Sequence, residues 1–235
     1  MKIIFKNIAA EILLLLIIMV AAQGSTAAVE LKELTVEEVK EIKLYENPST
    51  GQRWQLENEK PEITAVINDD YQPLPTKEGL VGRGGIHSWS FKAEKKGFSL
   101  LKFKLLNAEA DKIVRRQRFI IAVDLMTAEI SRDQILEIKL AENPSTGYRW
   151  QLDLKENKSI ELLKQEYEPL ALNSDKNEEQ NQSEKDGTQI LVGQGGIKSW
   201  TLRGREAGYQ LLTFELKRSG GKAIKTVEYL VLVRE

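Results

Sequence analysis

The sequence predicts an all-β chain of two tandem β-sandwich domains behind an N-terminal signal peptide. Three observations lead there. Long segments recur in the same order, apolar residues alternate with polar ones at the period of a strand, and the first thirty residues differ in composition from the rest.

The repeat organises the chain. EIKLYENPSTGQRWQLE at 41–57 returns as EIKLAENPSTGYRWQLD at 137–153. LVGRGGIHSWSF at 80–91 returns as LVGQGGIKSWTL at 191–202, and KGFSLLKFKL at 96–105 as AGYQLLTFEL at 207–216. Three blocks in one order mark a duplicated domain. The boundaries fall at residues 30–126 and 128–235. The second copy is longer by about 15 residues, and its insertion is 172–187 (LNSDKNEEQNQSEKDG), polar, charged and nearly without apolar residues. That composition predicts a mobile, solvated loop.

Residues 1–28 read as the signal peptide. Lys2 and Lys6 precede an apolar run at 12–20 (ILLLLIIMV), followed by small and polar residues, with cleavage expected between Ala22 and Ala28. The run is shorter than the roughly 20 residues of a membrane span, so an uncleaved anchor is the lesser alternative. A secreted or periplasmic location follows.

Within each copy Ile42 and Leu44, Trp54 and Leu56, Trp89 and Phe91, and Leu101, Phe103 and Leu105 alternate with polar neighbours. This is the period-2 pattern of a strand with one buried face. Trp54, Trp89, Trp150 and Trp200 all hold such positions, which assigns them to the cores. RFIIAVDL (118–125) and VEYLVLV (227–233) are dense in β-branched residues and suit central strands buried on both sides. Six to eight strands per copy are expected, without an intervening helical stripe.

Composition narrows the function. The chain has 235 residues with 34 basic and 35 acidic side chains, a net charge of −1, no cysteine and one histidine, His87. The charge balance gives no reason to expect nucleic acid as a partner. Without cysteine there are no disulfides, thiol nucleophiles or thiolate metal sites. A single histidine leaves no repeatable Ser/His/Asp arrangement and no zinc set, so neither an enzyme nor a metal or cofactor protein is expected.

Two loops stand out. Asn47, Pro48, Ser49, Thr50 and Gly51 recur as Asn143, Pro144, Ser145, Thr146 and Gly147. Proline fixes its own φ and holds the preceding Asn extended, Asn, Ser and Thr can bond the local backbone, and Gly can take a positive φ. A stiff, uncharged loop results, readable as a tight hairpin connection or as a contact surface. The second loop is Gly82-Arg-Gly84-Gly85, repeated as Gly193-Gln-Gly195-Gly196. It matches no phosphate-binding pattern and leads into a strand, where a bulge is the plain alternative to a contact loop.

NPSTGQRW and NPSTGYRW resemble the Asn-Pro-x-Thr-Gly-aromatic-x-Trp motif of the chagasin-like inhibitors of papain-family cysteine proteases. The G-x-G-G segment about 35 residues later matches that family's second loop in type and order. The resemblance covers nearly all of each repeat. It implies an immunoglobulin-like sandwich and a wedge of loops entering the protease cleft; the chain itself is expected to be monomeric. The protease-binding residues would be Asn47, Pro48, Ser49, Thr50, Gly51, Gly82, Gly84 and Gly85. In the second copy they would be Asn143, Pro144, Ser145, Thr146, Gly147, Tyr148, Gly193, Gly195, Gly196 and Arg218. The family's third loop, Arg-Pro-Trp, is not kept: copy one reads Leu106-Asn107-Ala108-Glu109, and copy two, Arg218-Ser219-Gly220, retains only the arginine. Gln52 also replaces the motif aromatic that Tyr148 supplies, so the second copy keeps more of the pattern. The alternative function is an exported adhesion or assembly module that uses the same loop end on another protein.

Overall fold

Alternation gives each strand one apolar face, and two facing sheets bury those faces against each other. In the computed structural model, which describes residues 29–75, 82–110, 112–154, 158–170 and 195–235, each copy does this. The chain divides into two units between Asp124 and Leu125.

The first unit comprises β1 (Val29–Leu34), β2 (Val39–Glu46), β3 (Arg53–Asn58), β4 (Thr64–Pro73), β5 (Gly85–Ala93), β6 (Gly97–Leu106) and β7 (Ile113–Val123). One sheet has the order β1-β7-β6-β3 and the other β2-β5-β4. All pairings are antiparallel except β1 with β7, which run parallel. The second unit repeats the plan with β8 (Met126–Ser131), β9 (Ile135–Glu142), β10 (Arg149–Asp153), β11 (Ile160–Pro169), β12 (Gly196–Gly204), β13 (Gly208–Lys217) and β14 (Lys225–Arg234). Its sheets are β10-β13-β14-β8 and β11-β12-β9. The all-β expectation of two sandwiches therefore holds, with seven strands in each copy. The β-branched runs form β7 and β14, each with a neighbour on both sides.

Both cores are built on the same aromatic pair. Trp89 meets Phe103 edge-on with centroids 4.9 Å apart, and Trp200 meets Phe214 at 4.7 Å. All four tryptophans are buried. Such pairs add about 0.5–1.5 kcal/mol beyond the area they bury. The edge strands β4 and β11 share a bulge at the same place, between Val66 and Asn68 and between Leu162 and Lys164. The extra residues, Ile67 and Leu163, are apolar and exposed.

Residues 1–28 and the insertion 172–187 lie outside the described residues. Among the described residues, no helix is long and apolar enough to cross a membrane.

Candidate functional site

The first loop leaves the end of β2 and enters β3. Because β2 pairs with β5 and β3 pairs with β6, the loop passes from one sheet to the other. The tight-hairpin reading is corrected here: a hairpin would join paired strands, whereas this loop arches over the end of the sandwich.

Its shape follows from its residues. Asn47, at φ −130° and ψ 86°, is kept out of the helical region, as a residue before proline should be. Pro48–Thr50 make one turn of 3-10 helix, closed by the Gly51 N–H donating to Pro48 O at 3.0 Å. Gly51 has φ 77°, a left-handed conformation that suits glycine. Thr50 Oγ1 donates to Asn47 O at 2.8 Å, and Ser49 Oγ to Asn47 Oδ1 at 2.5 Å. Copy two matches this, with Asn143 at φ −119°, Gly147 at φ 78°, Thr146 Oγ1 to Asn143 O at 2.7 Å and Ser145 Oγ to Asn143 Oδ1 at 2.7 Å. The tip residues Ser49, Thr50, Ser145 and Thr146 remain exposed.

The second loop lies beside the first. In copy one Asn47 Nδ2 donates to Gly82 O at 3.2 Å. Gly84 and Gly85 are buried where backbone and tyrosine side chains crowd them: a β-carbon would strike Tyr45 and Glu46 O at Gly84, and Gln72 O and Tyr71 at Gly85. Gly196 is enclosed in the same way by Glu168 O and Tyr167. Close packing, not a bulge, is what these positions require of glycine. The second loop is tied to the neighbouring strand end by Leu74 N–H to Gly84 O at 3.1 Å and Leu170 N–H to Gly195 O at 3.0 Å. Gly193 lies outside the described residues.

The turn after β6 or β13 completes the end. In copy one Ala108 packs so closely on Gly51 that any side chain at Gly51 would collide with it. In copy two Arg218 occupies this flank. Its Nη2 donates to Thr146 O at 3.3 Å, and its guanidinium lies 4.6 Å from the Tyr148 ring centroid. All three expected loops therefore meet at one end of the first unit. In the second, Tyr148 and Arg218 are joined to the first loop.

Sequence reasoning missed the roots of these loops. Glu46 and Glu142 are 2% and 5% exposed, and each accepts the backbone N–H of the tryptophan beyond the loop, Trp54 at 2.7 Å and Trp150 at 2.6 Å. The indoles donate back to Tyr45 O and Ala141 O, both at 2.9 Å. These paired bonds clamp both ends of each arch. A signal was present: Glu46 is in phase with Ile42 and Leu44, and Glu142 with Ile138 and Leu140, which places a carboxylate on the buried face twice.

The family model described as Chagasin family peptidase inhibitor I42 matches residues 33–123 and again 129–232. The chain belongs to the chagasin family of peptidase inhibitors. Each copy is thus a chagasin domain with an immunoglobulin-like fold, in a family of inhibitors and not of enzymes. Among solved structures, the chain is similar to the cysteine protease inhibitor EhICP2 from Entamoeba histolytica, with 21% identity, 43% of this chain and 99% of that chain covered, and a TM-score of 0.33. Leishmania mexicana ICP shares 24% identity over 43% of this chain and 93% of its own, with a TM-score of 0.32. PbICP-C, in a structure with falcipain-2, shares 20% over 43% and 92%, with a TM-score of 0.29. No curated protein matches the chain.

Proposed function

We propose that this chain is an exported, monomeric inhibitor of papain-like cysteine proteases with two chagasin domains, each presenting its Asn-Pro-Ser-Thr-Gly arch to the active-site cleft. The family match over both copies carries this reading. The arches supply the physical means. Each is uncharged, bonded within itself and clamped at its root, so little conformational entropy is lost when it enters a slot. Adjacent loops flank it, and together they suit a contact approaching the roughly 1,600 Å² of protease–inhibitor pairs. Residues 1–28 would direct export and be removed. The same family match favours inhibition over the adhesion or assembly module.

The test is a titration of active papain with the protein lacking residues 1–28. A saturable loss of peptidase rate is expected, and its end point counts the working domains. Full papain activity at micromolar protein, with circular dichroism showing folded β-sheet, would overturn the reading. Export is checked by the intact mass of protein recovered outside the cytoplasm, which should lack the first 22 to 28 residues.

A further inference from the structure

The two arches are clamped by the same buried glutamate, which is met by a histidine in one copy and an arginine in the other. In copy one Glu46 Oε2 takes the Trp54 N–H, while Oε1 faces His87 Nδ1 at 3.2 Å. The other nitrogen of that ring, Nε2, lies 2.5 Å from Asp69 Oδ1. Trp89 covers one face of the imidazole, stacked at 3.8 Å, and Tyr71 approaches edge-on at 6.3 Å. Among the described residues, the titratable groups against His87 are Glu46 from β2 and Asp69 and Tyr71 from β4, while Trp89 of its own strand covers one face. In copy two Glu142 Oε2 takes the Trp150 N–H, and Oε1 accepts from Arg149 Nη1 at 3.1 Å. The residue aligned with His87 there is Lys198.

We propose that Glu46 and Glu142 are positioning residues for the two arches, and that His87 makes the arch of the first domain, but not that of the second, responsive to pH. The functional half of this proposal rests on the inhibitory reading above.

The argument is one of donors. A neutral imidazole has a single N–H and can serve only one of the two carboxylates, whereas the protonated ring donates to both. Imidazole is also the side chain whose charge ordinarily changes between about pH 5 and 8. Asp69, with its side chain 59% exposed, can turn to water when the ring loses its proton. Glu46, with its side chain 1% exposed, cannot, so the neutral tautomer that serves Glu46 should persist. The buried carboxylate then keeps a hydrogen bond but loses its compensating charge, and charge-assisted bonds are roughly twice as strong as neutral ones. The first arch is therefore held most firmly on the acid side. Arginine keeps its charge throughout this range, so the second arch is indifferent.

The test uses the full chain, labelled with 15N. His87 is the only histidine, so its ring signal is unambiguous. Between about pH 5 and 8 the amides of Thr50, Gly51 and Trp54 should shift with the midpoint of the ring, while those of Thr146, Gly147 and Trp150 stay still. A ring that titrates while the first arch ignores it, or two arches that respond alike, overturns the proposal. This readout needs no protease, so it stays decisive if inhibition itself fails.

The functional arm measures the pH profile of papain inhibition by the full chain with the second arch blocked by Thr146→Trp. Inhibition should weaken about threefold to tenfold from the acid to the alkaline side, the loss expected when a charge-assisted bond becomes a neutral one. His87→Gln and His87→Lys, the residue of copy two, should both flatten the profile. Glu46→Gln keeps a carbonyl for the Trp54 N–H, so it should fold yet inhibit about tenfold more weakly. An unchanged profile in both histidine variants would sink the pH assignment.

Discussion

The two chagasin domains share the arch almost letter for letter and differ in what flanks it. In the first domain Ala108 lies against Gly51 and leaves no room for a side chain. In the second, the nearest atom to a β-carbon on Gly147 would be Arg218 Nε, 3.7 Å away. One arch is wedged by packing and the other is held by a cation over an aromatic ring. The comparison teaches that an identical loop sequence specifies the internal bonds of a loop but not its support.

The largest expected effect breaks this symmetry directly. Gly51→Ala meets both a left-handed φ and a collision, whereas Gly147→Ala meets only the φ. Strain of that kind costs about 1–2 kcal/mol, and a forced repacking adds about 1–3 kcal/mol. Chemical denaturation followed by tryptophan fluorescence should therefore show the first variant clearly less stable than the second. Equal losses would mean that Ala108 moves aside freely.

A smaller effect sharpens the comparison from the other side. Arg218→Ala removes a hydrogen bond and a cation–π contact, and Tyr148→Gln installs the residue that copy one carries at Gln52. Each should weaken inhibition by the second domain, and a double-mutant cycle in papain inhibition should return a coupling of about 0.5–1 kcal/mol. Additive losses would show that the ring and the guanidinium act separately.

The smallest effect concerns acid stability. A hydrogen bond from Arg203, aided by its charge and that of Arg205, holds the Glu161 carboxyl below the usual carboxylate range. Lys104 and Lys102 do the same for Glu57 in the first domain. A depressed carboxyl adds stability that is complete above its unfolded pKa and disappears as the pH falls through the folded one. Both pairs are accessible to solvent, so acid titration of stability should show only a shallow contribution from each. Arg203→Ala should reduce that of the second domain, leaving the part that Arg205 supplies, and should not change that of the first.

Much of this was legible in the sequence because it is local. Pro48 and Gly51 dictate the turn whatever surrounds them, and the alternation that carries Trp89 and Phe91 announces a strand. Which strands pair is not local, so nothing in ENPSTG distinguished a hairpin from an arch between sheets. Glu46 and His87 were legible in principle, since each is in phase with buried neighbours. A charged residue is assigned to solvent by default, and only the convergence of β2, β4 and β5 shows a carboxylate and an imidazole satisfying one another inside. The pairing of Arg218 with Tyr148 depended on bringing β13 beside β10, which no spacing along the chain reveals.

The repeated bulge has a consequence beyond geometry. β4 and β11 are corresponding edges of the two copies, and a flat edge offers its unpaired N–H and C=O groups to any strand that passes. Ile67 and Leu163 interrupt that row at the same place in β4 and β11, adding local twist where a second strand would need a straight partner. At these two edges the extra residue works against strand-to-strand pairing with a further chain.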